Sequence, residues 1–155
     1  MKMRFWHEVG ANGNEIRLGK VIDSRHVPAW CRLMDEGYEM DFAIFSSKVA
    51  TTKYKIDVEC DSFFHEVYPE RRETDSKRDD LLRCNGWTIL RFEQDDIFYG
   101  RRRCADKICD TIKKLGGAGE LTRLDEIWKK AKSIPFADRP RKLVNDLYID
   151  IQKVA

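Results

Sequence analysis

The residues best suited to chemistry lie in one stretch, residues 53–92, which opens with a run of alternating polar and apolar side chains. Side chains on a β-strand point alternately to its two faces. A strand from Lys53 to Asp61 would therefore place three carboxylates on one face, those of Asp57, Glu59 and Asp61. Such carboxylates repel one another, and either a cation held between them or an exposed sheet edge would relieve the repulsion.

Further polar side chains follow this strand at regular spacing. His65 comes four residues after Asp61. The segment 74–85 is typical of a helix, with Gly86 as its stop signal. One ridge of that helix, at spacings of three and four residues, carries Asp75, Arg78, Asp79 and Leu82. The segment 87–92 predicts a second buried strand.

Two parts of this region together resemble a known family. One is the run Asp75-x-x-Arg78-Asp79-x-x-Leu82-x-x-x-Gly86-Trp87-x-x-Leu90-Arg91-Phe92. The other is Glu59-x-Asp61-x-x-x-His65, in which Ser62 stands where the family usually has Gly. They resemble the very-short-patch-repair (Vsr)-like endonucleases of the PD-(D/E)XK nuclease superfamily, and the likeness extends over residues 38–115. Asp41-Phe42 is similar to the first catalytic position of that family.

The resemblance implies a metal-dependent DNA endonuclease. Mg²⁺ or Mn²⁺ can position a water, neutralise charge on the phosphate and help the leaving oxygen. Mg²⁺ takes oxygen ligands and keeps several waters, so few carboxylates suffice. The implied catalytic residues are Asp41, Glu59, Asp61 and His65, and the first three would bind the metal. Asp61 stands where the superfamily usually has Lys, and His65 would assist the proton transfers in its place. Asp57 competes with Asp41 for the first ligand position.

Supporting roles follow from the same resemblance. Asp75, Arg78 and Asp79 would flank the centre, with Asp75 orienting His65 and Arg78 contacting phosphate or holding a carboxylate. The superfamily often takes another Glu from a preceding helix, but Glu36 lies at the wrong end of the predicted helix and Glu15 outside it. This departure weakens the case for a fourth acidic ligand.

Three consecutive arginines lie near the start of another predicted helix, which runs from Asp95 or Asp96 to Leu115. The helix dipole disfavours cations near a helix start. A triple Arg in that place, at Arg101, Arg102 and Arg103, indicates either a DNA-phosphate contact or solvated surface.

The remaining elements set the fold class. Residues 1–22 predict a hairpin of strands 4–9 and 16–22 around the turn signal Asn12-Gly13. A helix is expected from residue 24 to 36, ended by Gly37, and a strand from Tyr38 to Ser46. Residues 120–155 suggest a helical hairpin. The elements predict an α/β fold, and the resemblance implies a PD-(D/E)XK mixed sheet flanked by helices. The expected organisation is a nuclease-like domain at 1–117 (core 24–117) and a C-terminal extension at 118–155.

Composition adds broad limits. The 155 residues suit one domain, and the net charge of +2 does not by itself announce a nucleic-acid binder. Five cysteines without a C-x-x-C pair favour reduced thiols in the cytoplasm. No apolar run approaches the roughly 20 residues that cross a bilayer, so no membrane association is expected.

Several alternatives stay open from sequence. The carboxylates could be solvated strand residues paired with Lys53, Lys55 and Arg91. Zinc lacks ligands at usable spacing. The chain could be a nuclease-fold module that binds DNA or a partner without cutting, or a subunit that docks through residues 120–155. The DNA substrate, and RNA as an alternative to it, are not specified, nor is a role in repair, restriction or defence.

Overall fold

The computed structural model describes residues 4–5, 12–47, 50–61 and 69–131. Its elements in chain order are β1 (Arg4–Phe5), α1 (Gly13–Ser24), β2 (Trp30–Cys31), β3 (Leu33–Asp35), β4 (Tyr38–Met40), β5 (Phe42–Phe45), β6 (Lys55–Asp61), α2 (Pro69–Cys84), β7 (Thr88–Glu93), α3 (Gln94–Lys114) and α4 (Ala118–Ala131). In these ranges β1-β2-β5-β6-β7 form a five-stranded sheet, and β3 and β4 form a two-stranded one. β6 pairs antiparallel with β5 and parallel with β7, so the chain has a mixed α/β architecture.

The predicted N-terminal hairpin is wrong, because its second strand is helix α1. Asn12 Oδ1 accepts a hydrogen bond from the Glu15 backbone N–H at 2.9 Å, and the Glu15 carboxylate accepts one from Asn12 N–H at 3.1 Å. This reciprocal capping box starts a helix at the point where Asn12-Gly13 suggested a turn. Leu18 and Ile22, four residues apart on one helical face, are buried in the core.

The predicted helix over residues 24–36 is also wrong, because this segment forms β2 and β3. Burial along β3 alternates, with Met34 exposed between two buried neighbours, as a strand requires. Glu36 and Gly37 both have positive φ, +49° and +80°, which suits a tight turn between antiparallel strands. Gly37 therefore joins β3 to β4 instead of ending a helix.

The strand predicted over residues 38–46 exists as two strands, β4 and β5, separated at Asp41. Met40 packs with Ala43 and Phe45, although strict alternation would place it with Phe42 and Ile44. The interruption thus changes which side chains share a face. It also places the backbone of Asp41 beside β6, since Phe42 lies opposite Val58.

The central prediction is confirmed in β6, α2, β7 and α3. β6 carries Ile56 and Val58 into one apolar cluster, on the face opposite its carboxylates. Gly86, with φ of +87°, follows the end of α2 as expected. α3 has a kink at Gly100, whose φ and ψ are −138° and 34°. The second predicted C-terminal helix, around residues 143–151, lies outside the described residues.

Two apolar clusters form the core. Residues alternating along β5 divide between them: Phe42 and Ile44 join the cluster of α1 and α3, whereas Ala43 and Phe45 join that of Leu82 and other side chains. Leu124 of α4 is buried in the second cluster. No disulfide joins the five cysteines, all of which lie in the described ranges. None of the described helices has the length and apolar character needed to cross a membrane.

Candidate active site

Asp41 and Glu59 meet where β5 begins beside the second half of β6. The backbone N–H of Asp41 donates to Glu59 Oε1 at 3.3 Å, and the N–H of Cys60 donates to Asp41 Oδ2 at 2.8 Å. Each carboxylate is therefore fixed by the backbone of the other's strand. The structure thus brings together two of the carboxylates that the sequence predicts as metal ligands.

Arg78 of α2 reaches the same place and contacts three carboxylates. Its Nη2 lies 2.6 Å from Glu59 Oε1 and 2.8 Å from Asp57 Oδ2, and its Nη1 donates to Asp79 Oδ1 at 3.0 Å. Nη2 also donates to the carbonyl of Glu39 at 3.2 Å. Of the two roles considered for Arg78, the described residues show the holding of carboxylates.

Asp61 is held by a second guanidinium, that of Arg91 on β7. Arg91 Nη1 donates to Asp61 Oδ1 at 2.7 Å, and the same guanidinium donates twice to Asp79, from Nε at 3.0 Å and Nη2 at 2.7 Å. Such two-pronged pairing fixes orientation as well as charge. Asp79 therefore bridges Arg78 and Arg91 and joins the two ion-pair groups into one network.

Asp57 is the most buried carboxylate of the network, with no solvent exposure. Its Oδ2 lies 2.8 Å from Arg78 Nη2, and this contact is an ion pair. Burying a carboxylate is costly, and burial raises the pKa of Asp57. Asp57 was an open alternative to Asp41 in the sequence, and it lies on the same side of β6 as Glu59, facing the same arginine.

Burial and mutual repulsion raise the pKa values of these acids. Burial is the main cause for Glu59, and the negative charges of Asp57 and Asp41 add to it. Burial raises the pKa of Asp41 to about 6, although the hydrogen bond from Cys60 N–H opposes the rise. The pKa of Asp79, by contrast, is lowered: burial opposes this change, but the hydrogen bonds from Arg91 outweigh it. The Asp41 end of the network therefore has an excess of negative charge.

Glu15 is the residue near this centre that the sequence interpretation placed wrongly. It lies inside α1, in the first turn, and its charge raises the pKa values of both Asp41 and Cys60. The expectation that Glu15 lies outside a helix is therefore wrong. The spacing Asn12-x-x-Glu15, a capping-box pattern, was the local signal that could have identified the helix.

The donor set suits a hard divalent cation in chemistry, because Asp41 and Glu59 offer only carboxylate oxygens in a region of excess negative charge. A cation there would offset the repulsion that raises their pKa values. Among the described residues, however, no three His, Cys, Asp or Glu side chains form a group arranged to hold a metal. Asp61 faces Arg91, and Glu59 would have to exchange its contact with Arg78 for the cation.

The other predicted site residues are distributed as follows. His65 lies in the range 62–68, outside the described residues. Asp75 is partly buried on α2, one turn before Arg78. The three arginines of α3 are exposed. Arg101 and Arg102 line a groove with α1, whereas the guanidinium of Arg103 lies near Gly100, where a Cβ would stand 2.9 Å from Nη2.

Comparison with known proteins gives one match. The model of the family REase_MTES_1575, a restriction-endonuclease-like family, matches residues 15–112. That range contains the whole ion-pair network and most of α1 and α3. The mixed sheet and its helices are compatible with a restriction-endonuclease-like fold. No curated protein and no solved structure matches the chain.

Proposed function

The chain belongs to this restriction-endonuclease-like family, and from that membership we propose that it is a metal-dependent endonuclease hydrolysing phosphodiester bonds in DNA. The observation that carries the proposal is the meeting of Asp41 and Glu59, each held by a backbone N–H of the neighbouring strand. Two partly buried acids with raised pKa values beside each other are a costly arrangement for stability alone. Acids with strongly perturbed pKa values are typical of functional sites, and a bound cation would stabilise their ionised form.

Asp41 and Glu59 are the residues proposed to hold Mg²⁺ or Mn²⁺. When bound, the metal would neutralise charge on the phosphate and lower the pKa of its water. Asp57, two residues before Glu59 on β6, would add negative charge to the site. Arg78 of α2 would keep the Glu59 carboxylate oriented. Asp61 is proposed to orient water at the edge of the site, with Arg91 fixing its carboxylate.

His65 is proposed to move protons in this reaction. In the sequence it follows Asp61, the last residue of β6, by four residues. An imidazole with a pKa near neutrality can accept and return a proton at working pH. This role, the likeness to Vsr-like enzymes, and a task in repair, restriction or defence remain proposals supported by the sequence motif.

Plasmid cleavage tests the assignment directly. Supercoiled DNA is incubated with Mg²⁺ or Mn²⁺ and the wild-type protein, Glu59→Gln or Asp41→Asn. We expect nicking by the wild type and a loss of more than about 100-fold in each variant, comparable to the loss of a metal-site group. Asp80→Asn, on the exposed face of α2, is the matched control and should cut normally. Unchanged cleavage by both Glu59→Gln and Asp41→Asn would refute the site.

A second candidate function is a DNA-binding module that does not cut. It is favoured by two ion pairs, Arg78 with Glu59 and Arg91 with Asp61, because each already neutralises a carboxylate of the proposed site. Titration calorimetry with Mn²⁺ separates the two functions. Heat of binding that disappears in Glu59→Gln supports the enzyme, whereas DNA binding without Mn²⁺ binding or cleavage supports the module. The partner surface predicted for residues 120–155 stays a prediction.

A further inference from the structure

A basic groove runs between α1 and α3, and none of the residues that line it belongs to the acidic network. Its lining consists of Ile16, Arg17, Lys20, Val21, Ser24, Arg101 and Arg102, with a volume of about 410 Å³. Four of these lining residues are cationic and none is acidic. Charge of one sign in a concave surface attracts a polyanion. The groove is therefore complementary to a chain of phosphates.

Two exposed aromatic side chains lie directly before these arginines on α3. Phe98 is 48 % exposed and Tyr99 is 78 % exposed. The guanidinium of Arg17 lies 4.8 Å from the centre of the Phe98 ring, and Phe98 supports Tyr99 edge-on at 4.9 Å between ring centres. Tyr99 is therefore exposed to solvent and is supported by the ring of Phe98, which in turn contacts Arg17.

The two helices that line the groove start near the proposed active site. β6 and β7 are parallel, with Asp61 paired with Glu93 at their shared end, and α3 starts at the next residue, Gln94. Tyr99 is therefore little more than one helical turn from that edge of the sheet. On the α1 side, Glu15 is close enough for its charge to raise the pKa of Asp41. The N-terminal ends of α1 and α3 therefore both lie near the acidic network.

From this arrangement we infer that the groove binds a DNA strand with an unpaired nucleotide, whose base stacks on Tyr99 while its phosphates contact Arg101 and Arg102. A cationic groove combined with an exposed ring is how proteins hold single strands. In an intact duplex both faces of each base are stacked on neighbours, so Tyr99 selects DNA that offers an unstacked base. The inference rests on the proposed function and narrows its substrate class to DNA with unpaired nucleotides.

Fluorescence anisotropy with the full chain in EDTA tests this inference without any cleavage. The probes are a labelled single-stranded oligonucleotide and a fully paired duplex of the same length. We expect tighter binding to the single strand, a loss of about ten-fold in Tyr99→Ala, and binding close to wild type in Tyr99→Phe, because Phe keeps the stacking face. The duplex affinity should change little in Tyr99→Ala.

A pair of double variants tests the phosphate contacts. Arg101→Ala with Arg102→Ala should weaken binding and flatten its salt dependence, by about 0.7 in log–log slope for each lost phosphate contact. Lys113→Ala with Lys114→Ala removes the same charge from exposed positions at the other end of α3, and should leave affinity nearly unchanged. Thermal melting of each variant verifies that it folds.

The outcomes distinguish the inference from its alternatives. Equal loss on single strand and duplex in Tyr99→Ala, or no loss in either, overturns it. Displacement of the oligonucleotide by an acidic peptide at equal charge concentration, with Tyr99→Ala lowering affinity for that peptide as well, would assign the groove to a protein partner. If an RNA strand of the same length binds more tightly than the DNA strand, the inferred ligand of the groove is RNA and not DNA. Failure of cleavage with Mg²⁺ refutes the proposed function but leaves these binding results standing.

Discussion

Arg78 Nη2 lies 2.6 Å from Glu59 Oε1, and this contact joins α2 to the central strand β6. The arginine and Asp57 are buried, and the side chain of Glu59 is 14 % exposed. Buried charges depend on their partners far more than surface charges do, because water cannot replace a lost partner. The Arg78 guanidinium therefore stabilises the fold, and it also competes with any metal ion for the carboxylates that it contacts.

Arg78→Ala is expected to destabilise the protein by about 3–5 kcal/mol, since it leaves Asp57 and Glu59 buried without their cation. Urea unfolding measures the change. The cost should be smaller at pH 5 than at pH 8, because protonation of the acids removes the unpaired charge. Arg83→Ala, which breaks an exposed pair with Asp80 on the same helix, is the control and should cost about 0.5 kcal/mol or less. Equal costs for the two variants would contradict the buried network.

The N-terminal start of α1 gives a second stability prediction. Asn12→Ala removes the side-chain acceptor for the Glu15 N–H and should cost about 1 kcal/mol. Asn12→Ser keeps an acceptor at the cap and should cost much less. Thermal unfolding of the three proteins provides the comparison. A similar loss in both variants would show that the side-chain cap does not hold this helix end.

The sequence predicted the central part of the fold because its signals there are local. The alternation in β6, the glycine that ends α2 and the apolar stripe of α3 each act within one element. The N-terminal failures arose where two local signals overlapped. Asn12 fits both a turn and a cap, and the spacing of Val27, Trp30 and Cys31 fits a helical stripe as well as a strand pairing with β5.

The candidate site shows the same division. Adjacent strands were expected to bring Asp41 and Glu59 together, and their mutual backbone contacts show that they do. The pairing of Arg91 with both Asp61 and Asp79 was not foreseen, because it depends on how α2 lies against β7. Long-range ion pairs of this kind are decided by packing and leave no periodic trace in the chain.

Metal binding is expected to depend on pH through the same acids. Asp41 must be ionised to hold a cation, and its pKa is raised to about 6 by burial. Mn²⁺ affinity should therefore fall as the pH is lowered through 6, and it should keep rising above pH 7 as Glu59, whose pKa is also raised, loses its proton. Titration calorimetry from pH 5.5 to 8.5 measures the trend. A Mn²⁺ affinity that does not change with pH would contradict the assignment. In Asp41→Asn, the change in affinity around pH 6 should disappear.

Asp23, near the end of α1, gives a pH-dependent stability prediction outside the network. Burial raises its pKa to about 7, so the folded protein holds this proton more tightly than the unfolded chain. For an acid with a raised pKa, the folded state carries no cost below the unfolded pKa, and the cost grows as the pH rises to about 7. Asp23→Asn should therefore match the wild type near pH 4 and be more stable by about 1 kcal/mol at pH 8, less than the full shift implies because the side chain retains contact with water.

Paired urea titrations at the two pH values measure this difference directly. Asp110→Asn, at an exposed position of α3, controls for the loss of one negative charge. If Asp23→Asn is stabilised by the same amount at both pH values, the stabilisation does not come from the buried, ionised form of Asp23. If Asp23→Asn is less stable than the wild type at pH 8, ionised Asp23 makes favourable contacts. That result would contradict the expectation that the charge of Asp23 destabilises the folded protein.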